Sequence, residues 1–390
     1  MKICALIAEY NPFHLGHLKH VNYIKNELGA EKVIVFMSGN FCQRGEPAVL
    51  NKFIRAKHAI IAGADLVLEL PTVFATANAE IFAKGGVSII NSLGVVDGLC
   101  FGIESGSKEE YQKLALALSD ESKAFKKVLK AHLETGVSLA KAKFEAVKSL
   151  GGEYDESLIS SPNNILGLEY TKALLKLNSD VNIFPMLREG NHNDGTLKKG
   201  ITSASSIRNA LKNPKTAKKV KGNLPTFVFK DLKGYPTEFD KMIISSLVRT
   251  SIEELSEILD CTEGLENRIK ALSKDARTFD ELVEKVSTKR YPQARVRRIL
   301  ISNFLGIKAN LVKDCLEKDL YAKVLAVNEK SKDLISLIAE KSSIPLLTRK
   351  SDITELNDTA KKCYQIDTLA NDLYNLATNQ NFNENFMMII

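Results

Sequence analysis

Short apolar segments alternate with helical patterns through the first 200 or so residues, and this alternation most limits the folds open to the chain. "KICALIA" (2–8), "KVIVFMS" (32–38), "DLVLELP" (65–71), "VDGLCFGIES" (96–105) and "VNIFPML" (181–187) each hold a short run of apolar residues at neighbouring positions. A strand with one wet face would alternate; a consecutive run indicates a strand covered on both faces. Between these runs, residues 14–27, 50–64 and 82–94 carry apolar residues at helical spacing. The pattern predicts an α/β fold, a doubly wound parallel sheet with helices on both faces. Ligands of such sheets bind beyond the carboxyl ends of the strands.

At 390 residues the chain is too long for one ordinary core. We expect a first domain over residues 1–215, with a helical insertion at about 107–150, and a second, mainly helical domain over 216–390. The lysine-rich stretch "KNPKTAKKVKGNLP" (212–225) marks the boundary, and "FMMII" at the end reads as a docking tail. The six cysteines form no CxxC pair, so buried thiols in a reducing cytoplasm are expected, with no metal site. No stretch approaches eighteen apolar residues, and "ICALIA" is too short for a signal peptide, so no membrane association is expected. A net charge of +7 permits a nucleic-acid partner without requiring one.

Directly after the first strand comes "EYNPFHLGH" (9–17). Asn11 followed by Pro12 predicts a helix start, with Asn11 as the cap. The backbone N–H groups of such a start face the carboxyl end of the sheet and attract anions. Three of the chain's six histidines, His14, His17 and His20, recur at spacings of three, on one side of that helix. Imidazoles there can donate to phosphate oxygens, and Gly16 would leave room for a flat base. No GxxxxGK[ST] loop is present, so a P-loop is not the alternative. Downstream, "TSASSIRNAL" (202–211) offers Ser203, Ser205 and Ser206 at another helix start, and Arg208 as a bidentate phosphate partner.

These two stretches resemble the HxGH and ISSTxIR-type signatures of the nucleotidyltransferase superfamily that includes class I aminoacyl-tRNA synthetases. With "SGNFCQRGEPAVLNKFIRAKHAIIAGADLVLELPTVFATANAEIFAKGGV" (38–87), "FGIESG" (101–106), "SPNNILGLEY" (161–170) and "MLREGNHND" (186–194), the chain is similar to the bacterial tRNA(Met) cytidine acetate ligase family. The resemblance is dense to about residue 210 and thinner through "YPQARVRRILISNFLGI" (291–307) and "YAKVLAVNEK" (321–330). It implies a Rossmann-like sheet of the HUP type. It also implies ATP-dependent acetylation of N4 of the wobble cytidine of elongator tRNA(Met). The acetyl donor would be free acetate, not acetyl-CoA, through an acetyl-adenylate, with release of pyrophosphate and AMP. Mg²⁺ would accompany ATP.

Carried onto this chain, the implied ATP site comprises Ile7, Ala8, Glu9, Tyr10, Asn11, Pro12 and Phe13. It continues through His14, Leu15, Gly16, His17, Leu18, Lys19 and His20. Gly102, Asn163 or Asn164, Arg188, Ser205 and Ser206 complete it. His14, His17 and Arg208 are the expected catalytic residues. The superfamily's KMSKS lysine is absent, which leaves Lys19, Arg188 and Arg208 as candidates for the leaving pyrophosphate.

Between Lys285 and Lys308 there are seven Lys or Arg residues and no acid. Arg290, Arg295, Arg297 and Arg298 are the expected RNA contacts, Tyr291 offers a stacking face, and "KKVKG" (218–222) is a second basic stretch. Two other readings remain. One is a small-molecule adenylyltransferase of the pantetheine-phosphate or nicotinamide-mononucleotide type, which would leave the helical half without a purpose. The other is a non-catalytic RNA-binding protein, against which the intact histidine pair speaks.

Overall fold

The computed structural model describes residues 1–119, 122–137, 139–151, 153–159, 161–188, 197, 200–236, 238–381 and 386–390. The five predicted strands are all present, as β1 (Ile3–Ala8), β2 (Lys32–Ser38), β5 (Leu66–Leu70), β6 (Gly98–Ile103) and β7 (Asn182–Leu187), and a short hairpin not among those predicted, β3 (Phe41–Cys42) and β4 (Glu46–Pro47), follows β2. Outside the hairpin they lie in the order β5-β2-β1-β6-β7, each parallel to its neighbour. Successive side chains leave opposite faces. Cys4, Leu6, Val33, Val35 and Met37 enter one core, while Ile3, Ala5, Ile34 and Phe36 enter the other. This two-sided burial is the physical origin of the consecutive apolar runs.

The chain winds from β1 outward to β2 and β5, then returns to lay β6 on the other side of β1. The direction therefore reverses between β1 and β6, and crossovers on either side diverge there, opening a crevice at the strands' carboxyl ends.

The second half is mainly helical but also returns to the sheet. β8 (Ala322–Val327) joins the sheet antiparallel to β5, and β9 (Leu346–Leu347) and β10 (Met388–Ile389) pair with it in parallel. The expected docking tail is thus an edge strand. Between residues 226 and 317 the second half is helical. Its core receives Phe41 of the hairpin, whose ring meets Phe239 at 5.7 Å and Phe304 at 6.1 Å. The expected insertion is three helices, Lys108–Leu118, Lys123–Glu134 and Leu139–Ser149.

The helix Asp358–Ala377 turns a polar stripe toward the loop after β2. Asn371 Oδ1 accepts from Asn40, Asn375 Oδ1 accepts from Asn51, and Tyr374 donates to the Ala48 carbonyl. These positions lie three and four apart, so they share one face of the helix. The last long helix therefore holds the loop that carries the hairpin.

Candidate active site

The crevice is a cleft of about 1020 Å³ at the carboxyl ends of β1, β6 and β7. Its floor begins where β1 ends. Tyr10 adopts a positive φ of 50° and the Asn11–Pro12 peptide is cis. The helix starts later than Asn11 and Pro12 suggested: it spans Leu15–Asn22, with His14 as its cap. Asn11 is used elsewhere, its side-chain oxygen accepting from the Val49 N–H at 2.8 Å.

The cap is built from the histidines themselves. His14 Nδ1 accepts the Gly16 N–H at 3.0 Å, and His17 Nδ1 accepts the His14 N–H at 3.3 Å. A nitrogen that accepts a backbone N–H carries no proton, so in each neutral ring the proton sits on Nε2. The two rings stack at 3.8 Å and 23°. Gly16 is required by this stack as much as by any ligand, since a Cβ there would lie 2.9 Å from His14 Cε1.

Burial keeps His17 neutral, helped by His14, Arg188 and His20, and pulls its pKa well below 6.5. Burial and then Arg188 bring His20 down to about 4, while its Nε2 lies 3.2 Å from Cys100 Sγ. Unfolded, both rings would bind protons near pH 6.5. Across the interval from there down to about 4 for His20, the unfolded chain binds more protons than the folded one, so stability falls as pH is lowered. Asp367, raised to about 6 by burial and then by Glu69, contributes with the opposite sign. Melting temperature is expected to drop between about pH 7 and about pH 5, with a shallower slope in a His20→Asn variant. An unchanged slope in that variant would contradict the assignment.

Arg188 follows β7 and lies across Gly102 of β6, where a Cβ would come within 2.9 Å of Arg188 Cδ. The two asparagines separate cleanly. Asn164 is buried, accepting from Glu104 N at 2.8 Å and donating to Ser105 Oγ and the Ser157 carbonyl. Asn163 lines the cleft and donates to Glu104 Oε1 at 2.5 Å. On the opposite wall, Ser203 caps the helix Ala204–Leu211. Arg208 from that helix is buried, donating to the Asn11 carbonyl at 2.8 Å and to Ser205 Oγ at 3.2 Å, and pairing with Glu46 at 2.6 Å.

The structure thus gathers Ile7, Ala8, Glu9, Tyr10, Asn11, His14, Gly16, His17, Lys19, His20, Gly102, Asn163, Arg188, Ser205 and Arg208 around one cleft. Pro12, Phe13, Leu15, Leu18, Asn164 and Ser206 do not line it. Phe13 packs in the core and Ser206 bonds to Ser203 Oγ. Sequence reasoning did not single out Gln43 and Arg44 at the hairpin tip, Glu104, Ser161, or the apolar wall of Phe82, Phe101, Leu166 and Tyr170. A Gln-Arg-Gly turn signal between two short apolar stretches was the one available pointer to the hairpin. Cationic and N–H donor groups outnumber the acids here, which suits a polyanion. Among the described residues no group of three or more His, Cys, Asp or Glu is gathered as a metal would need.

The expected RNA strip is partly engaged within the fold. Arg297 pairs with Asp280 at 2.6 Å over the Phe279 ring, and Arg295 donates to the Asp260 carbonyl and Thr262 Oγ1. Arg298 is largely desolvated, which lowers its pKa, and Arg290 remains well exposed beside Tyr291. The start of their helix, Gln293–Leu305, abuts the hairpin. A Cβ on Gly45, whose φ is +70°, would lie 2.5 Å from the backbone of Arg297 and Arg298.

Comparison with known proteins fits this geometry. The family "HIGH Nucleotidyl Transferase" matches residues 1–387. The tRNA(Met) cytidine acetate ligase of Acetivibrio thermocellus is 39% identical over 96% of this chain and 94% of its own, and that of Alkaliphilus metalliredigens is 36% identical over 98% and 95%. The crystal structure of apo Thermotoga maritima TmcAL superposes with a TM-score of 0.93 at 30% identity over 100% of both chains. The same protein bound with alpha-thio ATP superposes at 0.89 over 97% of this chain and 95% of that one. No helix among the described residues is long and apolar enough to cross a membrane.

Proposed function

Because the chain belongs to the HIGH nucleotidyltransferases, and within them to the tRNA(Met) cytidine acetate ligases, we propose that it acetylates N4 of the wobble cytidine of elongator tRNA(Met) at the expense of ATP. Free acetate attacks the α-phosphate, pyrophosphate leaves, and the cytidine amine then takes the acetyl group from the adenylate and frees AMP. Acetyl-CoA has no part in this scheme. The reaction belongs in the cytoplasm, where the tRNA is.

One observation carries the reading. Two stacked imidazoles where the direction of the sheet reverses have their Nδ1 atoms fixed by backbone N–H groups, which puts the proton of each neutral ring on Nε2. Attack at the α-phosphate spreads charge over its equatorial oxygens, and preset donors in a partly dry cleft stabilise that charge. Arg188 and Lys19 supply cations for the leaving pyrophosphate. Arg208, already paired with Glu46, serves more to fix Ser205 and the turn at Asn11. Mg²⁺ would arrive with the triphosphate, held mainly by phosphate and water. Arg290, in the bend just before the helix Gln293–Leu305, and the exposed first residues of that helix offer a surface for the RNA backbone.

Incubation with ATP, labelled acetate and bulk tRNA tests the reading. Label in tRNA as N4-acetylcytidine is expected. Transfer of AMP from ATP to an added phosphorylated small molecule such as phosphopantetheine, with no label in tRNA, would favour an adenylyltransferase, and an absence of turnover would overturn the proposal. The nucleotide subsite has its own test. Gly102→Ala puts a methyl 2.9 Å from Arg188 Cδ and must displace that side chain. ATP affinity is expected to weaken by about tenfold, on the order of 1.4 kcal/mol, in a titration with a non-hydrolysable analogue. Unchanged affinity would remove Arg188 from the site.

A further inference from the structure

A carboxylate in a cleft suited to a triphosphate needs a reason to be there. Two acids line this cleft, Glu9 and Glu104. Both oxygens of Glu104 are taken: Ser161 Oγ donates to Oε2 and Asn163 Nδ2 donates to Oε1, each at 2.5 Å. Glu9 is different. Its Oε1 accepts the Gln43 N–H at 2.7 Å, while its other oxygen accepts nothing from a described group and is not sealed off from the cleft. A carboxylate so placed repels phosphate and calls for an N–H donor or a cation.

We propose that Glu9 is the general base of the second half-reaction, accepting the proton of the cytidine N4 amine as that nitrogen attacks the acetyl carbon. The proposal rests on the function read above. The placement supports it. Gln43, which holds Glu9, sits at the tip of the β3–β4 hairpin, and that hairpin is seated at Gly45 against the start of the basic helix Gln293–Leu305. A base flipped out of an RNA lying on that helix reaches Glu9 by way of the hairpin.

The chemistry requires such a group. The lone pair of N4 is delocalised into the cytosine ring, so the amine is a weak nucleophile, and its attack builds positive charge on nitrogen. In the step, the N4–carbon bond forms and an N4 proton passes to the Glu9 carboxylate. The carbon–oxygen bond to phosphate then breaks, its electron pair leaving with AMP. Glu9 afterwards releases the proton to water, so the products are N4-acetylcytidine, AMP and one proton. Burial raises the proton affinity of Glu9 above that of an ordinary carboxylate against the pull of Arg208 and Arg44, which suits a base.

Two partial reactions of the full-length protein separate this role from others. Acetate-dependent ATP–pyrophosphate exchange without tRNA reports adenylate formation, and single-turnover transfer from synthetic acetyl-adenylate to a tRNA(Met) transcript reports the second step. Glu9→Gln, which keeps the acceptor for Gln43, is expected to slow transfer by about a hundredfold more than it slows exchange. It should also abolish the rise of the transfer rate with pH. Glu9→Asp, with the charge set back by one methylene, should recover part of the transfer. Equal losses in the two reactions would place Glu9 on ATP or its Mg²⁺ and overturn the proposal, as would undiminished transfer. A wild-type protein with no acetate-dependent exchange would take the functional reading and this proposal down together.

Discussion

His17→Ala is expected to lower acetate-dependent pyrophosphate exchange by about two to three orders of magnitude, or roughly 2.7–4 kcal/mol, the usual cost of deleting one preset donor to a developing anion. The donor is preset because His17 Nδ1 is occupied by the His14 N–H, and the ring is wedged between His14 at 3.8 Å and Tyr10 at 4.9 Å. Water could fill the hole left by alanine, but it would have to reorient as charge develops. His14→Ala should cost a similar factor and also about 1 kcal/mol of stability, because it removes the cap on the Gly16 N–H. The double variant should lose much less than the product of the two factors, since the rings brace each other and serve one phosphate. Exchange rates and thermal melts of the three variants check this. Full additivity, or a loss explained by unfolding alone, would count against a shared catalytic role.

What the sequence disclosed followed from physics that is local along the chain. Consecutive apolar residues in β1, β2, β5, β6 and β7 record burial on both faces, and three histidines within seven residues all line the cleft. The misses involve partners far apart. The "AKVLAV" strand sits among helical patterns, and nothing near it signals pairing with β5 more than 250 residues earlier. Histidine is not an expected cap, so Asn11 took that role on paper while its side chain was bound to Val49. The arginines of residues 290–298 read as an open strip because their acids, Glu263 and Asp280, lie outside the window that defines the strip. Spacing put His14, His17 and His20 on one side of a helix, and all three line the cleft, but neither spacing nor the resemblance could tell Asn163 from Asn164. That distinction depends on which side of one helix faces Ser105 and Ser157.

Glu69→Leu is expected to destabilise the protein by about 3–5 kcal/mol, the range for removing one partner from a buried ion pair. Glu69 lies in β5 directly opposite Lys323 of β8. Lys52 Nζ approaches its two oxygens at 2.8 and 2.9 Å, Lys323 Nζ lies at 3.4 Å, and all three side chains are essentially inaccessible to water. The variant removes the carboxylate that both ammoniums face, in a place where water cannot replace it. Its consequences should reach the cleft, because Lys52 opens the helix after the hairpin loop and its N–H is held by Asn40, which also binds Asn371 of the C-terminal helix. Loosening this junction frees the loop that positions Gln43 and Arg44, so exchange activity should decline at temperatures well below the new melting point. The triple variant Glu69→Leu, Lys52→Met, Lys323→Met removes the carboxylate and both facing ammoniums and should recover part of the stability, since apolar replacement of buried ion partners is often neutral, while Asp367, which Lys52 and Glu69 both influence, stays behind. Denaturant unfolding of both variants decides the matter. If the single variant melts like the wild type, the ion cluster does not hold the late strand to the sheet. If the triple variant is no better than the single one, the lysines are held by something other than Glu69.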